Sequence, residues 1–355
     1  MKPLKSISEI EIDGSVGEGG GSILRVAAGI CTFTGKALKI RNIRKNRNPP
    51  GLKLQHLLGI TTLKEITNGI LEGVTIGSTE IYFKPGTAWK SKYNIKIDTA
   101  GSIGLLTQTL QYALLGAPSG QYIFEVEGGG TYGKGAPDPY LLNHTTFQLF
   151  RDLGYEIRIN IEREGFYPKG GARGKIVIRV PEKTTSFNLE TKGEAKKVGT
   201  RICVSSQLKN KRVAERIEKS IKKETQQLNI ENIHSIIFDY VETRSPGVGL
   251  SGFIEYDNRT VKGTGMFLGD IKLSSEDLAH QYYESLKKNY LEQAAVDVWT
   301  SDQLIPIMPV CESQSSFTVA EITSHTKTNI QIVESLFECK YSIEKHPNGW
   351  RISLN

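Results

Sequence analysis

The sequence predicts a mixed α/β (α+β) fold in which one structural unit occurs three times and a smaller domain interrupts the series. Two observations carry this. Segments with strand alternation and segments with helical spacing follow one another in the same order at the start, the middle and the end of the chain. Between the second and third occurrences that order breaks. Identity between the copies is low, so the argument rests on element order.

The first copy opens with a strand over 8–12 and a glycine-rich turn. A helix follows, with Ile23, Leu24, Ala27, Ile30 and Cys31 on one face. Next come a strand at 37–43, an irregular basic loop at 44–50 and a helix at 52–68. Strand-like runs at 74–76 and 80–84 close the unit. The second copy reads as a strand at 93–98, a turn at Ala100-Gly101-Ser102 and a helix over 103–115 that stops at Gly116. It continues with a strand at 122–127, a glycine-rich loop at 128–139, one helix over 140–153 capped by Gly154, and strands at 155–161 and 175–180. The third copy has a helix near 301–310, a strand at 316–322, a loop at 323–328, a helix at 329–338 and strands at 341–345 and 350–354.

The interruption reads β-α-β-β-β: a strand at 201–208, a charged helix at 211–228, and strands at 235–243, 249–256 and 261–267. A helix over 274–295 returns the chain to the third copy. The expected domains are therefore 1–183 with 274–355, carrying the repeats, and an inserted domain at 184–273.

Composition bounds the function. The chain has 355 residues, 38% of them hydrophobic, and a net charge of +7. Its mean hydropathy is −0.30 and its isoelectric point about 9.0. No run approaches the roughly 18 apolar residues of a membrane span, and Met1-Lys2-Pro3-Leu4 opens no signal peptide. No membrane partner is expected. The four cysteines, Cys31, Cys203, Cys311 and Cys339, form no CxxC pair, which points away from a zinc site or a disulfide framework and toward a cytoplasmic protein. The basic balance suits a polyanion or a solvated lysine-rich surface.

Within 12–25, Gly14, Gly17, Gly19, Gly20 and Gly21 surround Glu18 just before a helix. Glycines let a ligand approach the backbone, and a helix start offers free N–H groups to an anion. No Lys-Ser/Thr follows, so this is not a P-loop. A carboxylate there suits a cation or a sugar hydroxyl; the plain alternative is a tight strand-to-helix turn. His325 lies in the third loop, where a ring nitrogen can serve as nucleophile, general base or metal ligand, or simply bond locally. Thr328 or Asn329 is a candidate cap for the following helix. Arg41, Arg44, Lys45 and Arg47 make the first loop a candidate phosphate site or a solvated face. Trp299, Asp302 and Gln303 offer an aromatic face, a carboxylate and an amide to a nucleoside. His56 and His144 read as structural, and His234, His280 and His346 have no constellation around them.

Together these segments resemble the RNA 3′-terminal phosphate cyclase family. The likeness is carried by D-G-S-V-G-E-G-G-G-S-I-L-R from Asp13, I-R-K-N-R-N-P-P-G-L-K-L-Q-H from Ile43 and G-S-I-G-L-L-T-Q-T from Gly101. G-F-Y-P-K-G-G from Gly165, S-D-Q-L from Ser301 and H-x-x-T-N from His325 extend it. The resemblance implies three βαβαββ units of the enolpyruvyl transferase-like fold, with a thioredoxin-like insert between the second and third. It implies ATP as a substrate, Mg2+ or Mn2+, and an RNA partner with a 3′-phosphate end, which becomes a 2′,3′-cyclic phosphate. The expected course is attack of a histidine on the ATP α-phosphate, transfer of AMP to the RNA 3′-phosphate, and displacement of AMP by the ribose 2′-OH.

Carried over by position, His325 is the adenylated histidine and Glu18 the metal carboxylate. Arg25, Arg44 and Arg47 face phosphates, and Gln108, Pro137, Phe267, Trp299, Asp302 and Gln303 form the nucleotide pocket. Trp299 replaces an expected Tyr, Asp138-Pro139 shifts an expected acidic position, and Gly269-Asp270 replaces Gly-Glu. Two alternatives belong to other classes. A non-catalytic relative acting in ribosome biogenesis lacks the histidine that His325 supplies here. An enolpyruvyl transferase lacks the Glu18 glycine segment.

Overall fold

The structure is a computed structural model and describes residues 9–17, 19–337 and 339–354. In chain order the first elements are β1 (Glu9–Asp13), α1 (Gly21–Thr34), β2 (Ala37–Arg41), α2 (Leu54–Thr67), β3 (Ile70–Glu72) and β4 (Ile81–Lys84). β1 and β2 run parallel, β4 lies antiparallel beside β2, and β3 completes the order β1-β2-β4-β3.

The next group is β5 (Lys92–Ser102), α3 (Ile103–Ala113), β6 (Gly120–Gly130), α4 (Pro139–His144), α5 (Thr146–Asp152), β7 (Glu156–Arg163) and β8 (Arg173–Val180). Its sheet has the same directions and the order β5-β6-β8-β7. A third sheet is formed by β9 (Asn188–Leu189) with three strands from the end of the chain.

A fourth sheet follows β9. It contains β10 (Ala195–Ser205), then α6 (Val213–Thr225), β11 (His234–Val241), β12 (Val248–Tyr256) and β13 (Val261–Leu268), in the order β11-β10-β12-β13. α7 (Ser275–Leu291) and α8 (Val298–Leu304) lead to β14 (Ser316–Val319), α9 (Ser324–Leu336), β15 (Tyr341–His346) and β16 (Gly349–Leu354). β14 pairs parallel with β9 and antiparallel with β16, giving the order β15-β16-β14-β9.

Burial separates two large cores. One runs from Ile10 to Leu354 and joins the first three sheets through α1, α3, α5 and α9. The other packs α6 and α7 on the fourth sheet, with Ile217, Ile221, Leu278, Tyr282 and Leu286 against Val198, Ile202 and Leu250. A small cluster of Tyr132, Phe166 and Cys203 lies between them.

Several elements differ from the sequence expectation. The segment 74–76 is not a strand: Gly73 and Gly77 both take positive φ and bracket it as a turn, while β3 forms just before it. The helix expected over 140–153 breaks at Thr145 (φ −120°, ψ −99°), whose hydroxyl donates back to the Leu141 carbonyl at 2.7 Å. β9 lies inside the expected insert 184–273 yet pairs with β14, and α7, expected with 274–355, buries its apolar face in the fourth sheet's core. The fourth sheet therefore follows the first strand of the third sheet.

Candidate active site

A cavity of about 630 Å3 opens where α1, α3, α8, α9, β13 and the segment 131–138 meet. Eight residues singled out from sequence line it: Arg25, Gln108, Pro137, Phe267, Trp299, Asp302, Gln303 and His325. They come from all three repeat-like groups and from the fourth sheet. Arg44 and Arg47 are not among its walls, and Glu18 lies outside the described residues.

His325 sits in the first turn of α9, not in a loop before it. The helix begins a turn earlier than expected because Thr323 caps it, its hydroxyl accepting the Thr326 N–H at 3.0 Å. Neither Thr328 nor Asn329 is the cap. Thr328 donates to the Ser324 carbonyl at 2.8 Å, and Asn329 donates to the Asp302 carbonyl at 2.8 Å, tying α9 to α8. Buried Thr326 adds a hydroxyl contact to Ser301 at 3.2 Å. The glycine turn packs on this same surface. Gly17 has φ +60°, and a Cβ added there would stand 2.2 Å from the Thr328 hydroxyl. The first-turn N–H groups of α9 and the α1 start thus border one space, a setting that favours an anion.

α8 is held by Asp297, which sequence reasoning missed. Its Oδ1 accepts the N–H groups of Trp299 (2.9 Å) and Thr300 (2.7 Å); its Oδ2 accepts from Gly263 N–H (2.7 Å) and the Thr300 hydroxyl (2.9 Å). An Asp placed three residues before Thr300 at a helix start was the readable signal. This cap aims Trp299 across the mouth, against Gly265: with φ +76°, a Cβ there would lie 2.9 Å from the indole. Deeper in, Gln303 accepts from Gln111 at 2.9 Å and from the Tyr112 hydroxyl at 3.3 Å, and donates to Asp302 at 3.2 Å. Burial lowers the Arg25 guanidinium to about 10, opposed by Tyr112 and Asp302, so it remains cationic at neutral pH.

The two loop arginines differ. Arg44 is buried, has φ +54°, and donates to the carbonyls of Pro49 (2.9 Å) and Gly51 (2.8 Å), bracing its own loop. Arg47 is exposed and reaches over the glycine segment, its Nη2 3.6 Å from where a Gly20 Cβ would be. Buried His56 accepts the Lys53 N–H on Nδ1 at 3.1 Å. Burial first, then Arg25, Arg44 and Lys53, press its pKa down to about 3, so it is neutral. Its Nε2 would stand 2.0 Å from a Cβ on Gly21, so a side chain at position 21 would displace the imidazole.

Asp138, next to Pro137, caps α4 by accepting the Leu141 N–H at 3.1 Å, and Leu141 and Leu142 line the cavity. Arg201 of β10 pairs with buried Glu164 at 2.9 Å. Burial raises the Asp138 carboxyl from 3.8 to about 6; Glu164 raises it further, while Leu141 N–H and Arg201 oppose. The stability this proton confers is complete below pH about 4 and lost as pH rises through about 6. Asp138→Asn cannot ionise, so its stability relative to wild type is expected to climb across that window by up to about 3 kcal/mol. Denaturant unfolding from acidic to neutral pH measures the difference; parallel profiles for the two proteins would contradict it.

A family profile described as RTC, RNA 3′-terminal phosphate cyclase, matches residues 16–343. An RNA 3′-terminal phosphate cyclase of Archaeoglobus fulgidus is 35% identical over 327 residues, covering 92% of this chain and 95% of the relative. One from Methanosarcina barkeri is 34% identical over 98% of this chain and 100% of its own. One from Thermococcus kodakarensis is 33% identical over 94% of each. The Ile43, Gly101, Gly165, Ser301 and His325 motifs fall inside the matched span, as does the Asp13 motif from Val16 onward. The chain belongs to the RNA 3′-terminal phosphate cyclase family of ligase-type enzymes.

Proposed function

We propose that this protein converts an RNA 3′-phosphate end to a 2′,3′-cyclic phosphate with ATP, through a histidine–AMP adduct at His325. The observation that carries the reading is the meeting of His325 with Arg25, Trp299, Asp302 and Gln303 around one cavity. Those residues come from three helices, α1, α8 and α9, spread over three hundred positions.

The chemistry follows from leaving-group ability. A phosphate monoester cannot lose its oxygen until that oxygen becomes part of an anhydride. A His325 ring nitrogen forms a bond to the ATP α-phosphorus while the bond to pyrophosphate breaks. An oxygen of the RNA 3′-phosphate next attacks the same phosphorus and the N–P bond breaks, regenerating the imidazole. The neighbouring ribose 2′-OH then attacks the 3′-phosphorus, its proton passes to solvent, and AMP leaves. Arg25 and the N–H groups at the starts of α1 and α9 stabilise the charge that builds on phosphate oxygens. Trp299, Phe267 and Pro137 offer apolar faces to adenine, with Gln108 and Gln303 as polar partners.

Mg2+ or Mn2+ takes one or two carboxylates and completes its shell with substrate phosphates and water, and Glu18 would be its carboxylate ligand. When bound, it neutralises phosphate charge. At the fold level, the reading is three βαβαββ units of enolpyruvyl transferase type, with a thioredoxin-like insert spanning roughly β10 to α7. No helix among the described residues is long and apolar enough to cross a membrane, and a cytoplasmic location is part of the proposal.

Arg47 and Arg44 are expected to separate on testing. Arg47→Ala should weaken RNA or ATP binding and reduce the salt slope of log K by about 1. Arg44→Ala should instead lower stability by leaving two loop carbonyls without donors. Equal salt slopes for wild type and Arg47→Ala, with either ligand, would return Arg47 to a solvated face.

The reaction itself is tested with an oligoribonucleotide bearing a 3′-phosphate, ATP and Mg2+. The expected products are the cyclic end, AMP and pyrophosphate. RNA binding with no ATP consumed would favour the non-catalytic reading.

A further inference from the structure

The segment 164–172 contains the G-F-Y-P-K-G-G run, to which the proposed reaction assigns nothing. It presents one aromatic ring to solvent: Tyr167 is 78% exposed, an unusual position for so large an apolar surface. The chain around it is closely bonded. Gly170 N–H donates to the Phe166 carbonyl at 2.8 Å, Ala172 N–H to Gly129 at 3.1 Å, and Lys169 N–H to the Ser245 hydroxyl at 3.2 Å. The Phe166 ring stacks on Tyr132 with centroids 5.2 Å apart. Tyr167 is thus displayed by a braced turn.

The turn faces the same way as the cavity. β8 runs antiparallel to β6, with Arg173 opposite Glu127, so the segment leaves the sheet at the end where β6 passes into 131–138. Thr131 N–H donates to the Gly165 carbonyl at 2.9 Å, joining the two segments. Gly135, Ala136 and Pro137 then form part of the cavity wall. Basic side chains lie on this turn and on the segments bonded to it. Lys134, Lys169 and Arg244 are exposed, and the Arg244 side chain lies across Gly171, where a Cβ would come within 2.5 Å of it. The neighbouring ion pairs join Arg163 to Glu127 and Arg173 to Glu162. No ion pair among the described residues engages Lys134, Lys169 or Arg244; Glu242 is the exposed acid beside Arg244.

We propose that Tyr167, with Lys134, Lys169 and Arg244, is a stacking platform for single-stranded RNA upstream of the end held in the cavity. This rests on the reaction proposed above. An exposed ring stacks on any base, and flanking cations follow the phosphates without reading sequence. The platform therefore gives affinity that grows with RNA length and is blind to base identity.

The test compares wild type, Tyr167→Ala, Tyr167→Trp and Lys169→Ala/Arg244→Ala in binding a 3′-phosphorylated oligoribonucleotide of about two nucleotides and one of about ten, the longer spanning a typical single-strand site. Fluorescence anisotropy gives Kd without requiring turnover, and ATP labelling of each protein is run in parallel. Tyr167→Ala is expected to raise Kd for the longer RNA about five- to tenfold, with the dinucleotide and ATP labelling unchanged. Tyr167→Trp should keep wild-type affinity, and the double cation variant should flatten the salt dependence for the longer RNA alone. Equal Kd for wild type and Tyr167→Ala on the longer RNA would overturn the platform, whether or not that RNA is cyclised. A length-dependent Tyr167 effect without cyclic product would uphold the platform and overturn the reaction.

Discussion

Replacing His325 with alanine is expected to reduce cyclisation by about 10^4-fold or more, since removing a covalent nucleophile commonly costs that much. The fold should survive. His325 is half-buried in the first turn of α9, and bonds of Thr323, Thr326, Thr328 and Asn329 help to hold this turn. A change in unfolding free energy of less than about 1 kcal/mol is expected, as for a substitution outside the packed core. Binding of ATP should remain within a few-fold, because the aromatic and amide walls of the cavity are untouched. Rates of cyclic-end formation with wild type and variant measure this directly. A variant retaining a tenth of the activity would return His325 to a local role.

The second large effect is expected at Asp297, which caps α8 at the wall of the cavity. Asp297→Ala removes the acceptor for two N–H groups at the start of α8, for the buried Gly263 N–H and for the Thr300 hydroxyl. Loss of a cap costs about 0.5–2 kcal/mol, and an orphaned buried donor about 1–3 kcal/mol. A loss of stability near 3 kcal/mol is therefore expected. With it, Trp299, Asp302 and Gln303 lose their anchor, and kcat/KM for adenylation should fall about 10- to 100-fold, as when catalytic groups shift by an ångström. Asp297→Asn should fall between, because its amide oxygen still caps α8 while its nitrogen cannot accept from Gly263. If the alanine variant unfolds and reacts like wild type, α8 is held by other means.

Much of this arrangement was readable from residue order, and the exceptions have physical causes. Arg25, Asp302, Gln303 and His325 are legible because each sits in a short motif whose residue types imply chemistry: an arginine just after the glycine turn, the Asp302-Gln303 pair starting three positions after an aromatic, a histidine four residues before Asn329. The start of α9 differs from the expectation because the cap belongs to Thr323, five positions before Thr328 and six before Asn329. Asp297 was overlooked because a buried capping carboxylate looks in sequence like any surface acid. Arg44 and Arg47 occupy one charged run and look alike in sequence, yet Arg44 takes positive φ and is buried on the Pro49 and Gly51 carbonyls while Arg47 is exposed.

The larger differences concern partners distant in sequence. β9 has two residues, too few for any periodicity, and owes its place to pairing with β14 over a hundred positions later. α7 is amphipathic in either assignment; only the apposition of Leu278, Tyr282 and Leu286 to Val198 and Leu250 shows which sheet it covers. The break at Thr145 depends on a hydroxyl bonding back to Leu141, which helical spacing alone does not reveal. Each of these moves a wall of the cavity or the body behind it, yet none changes which residues meet there.

The most direct measurement is the location of the covalent nucleotide. Wild-type protein is incubated with ATP labelled in its α-phosphate and Mg2+, digested under conditions that preserve a phosphoramidate, and its labelled peptide is identified. The predicted result is acid-labile label on the peptide containing His325, discharged when an RNA 3′-phosphate is added. Label on any other residue, or equal labelling of the His325→Ala variant, would contradict the account.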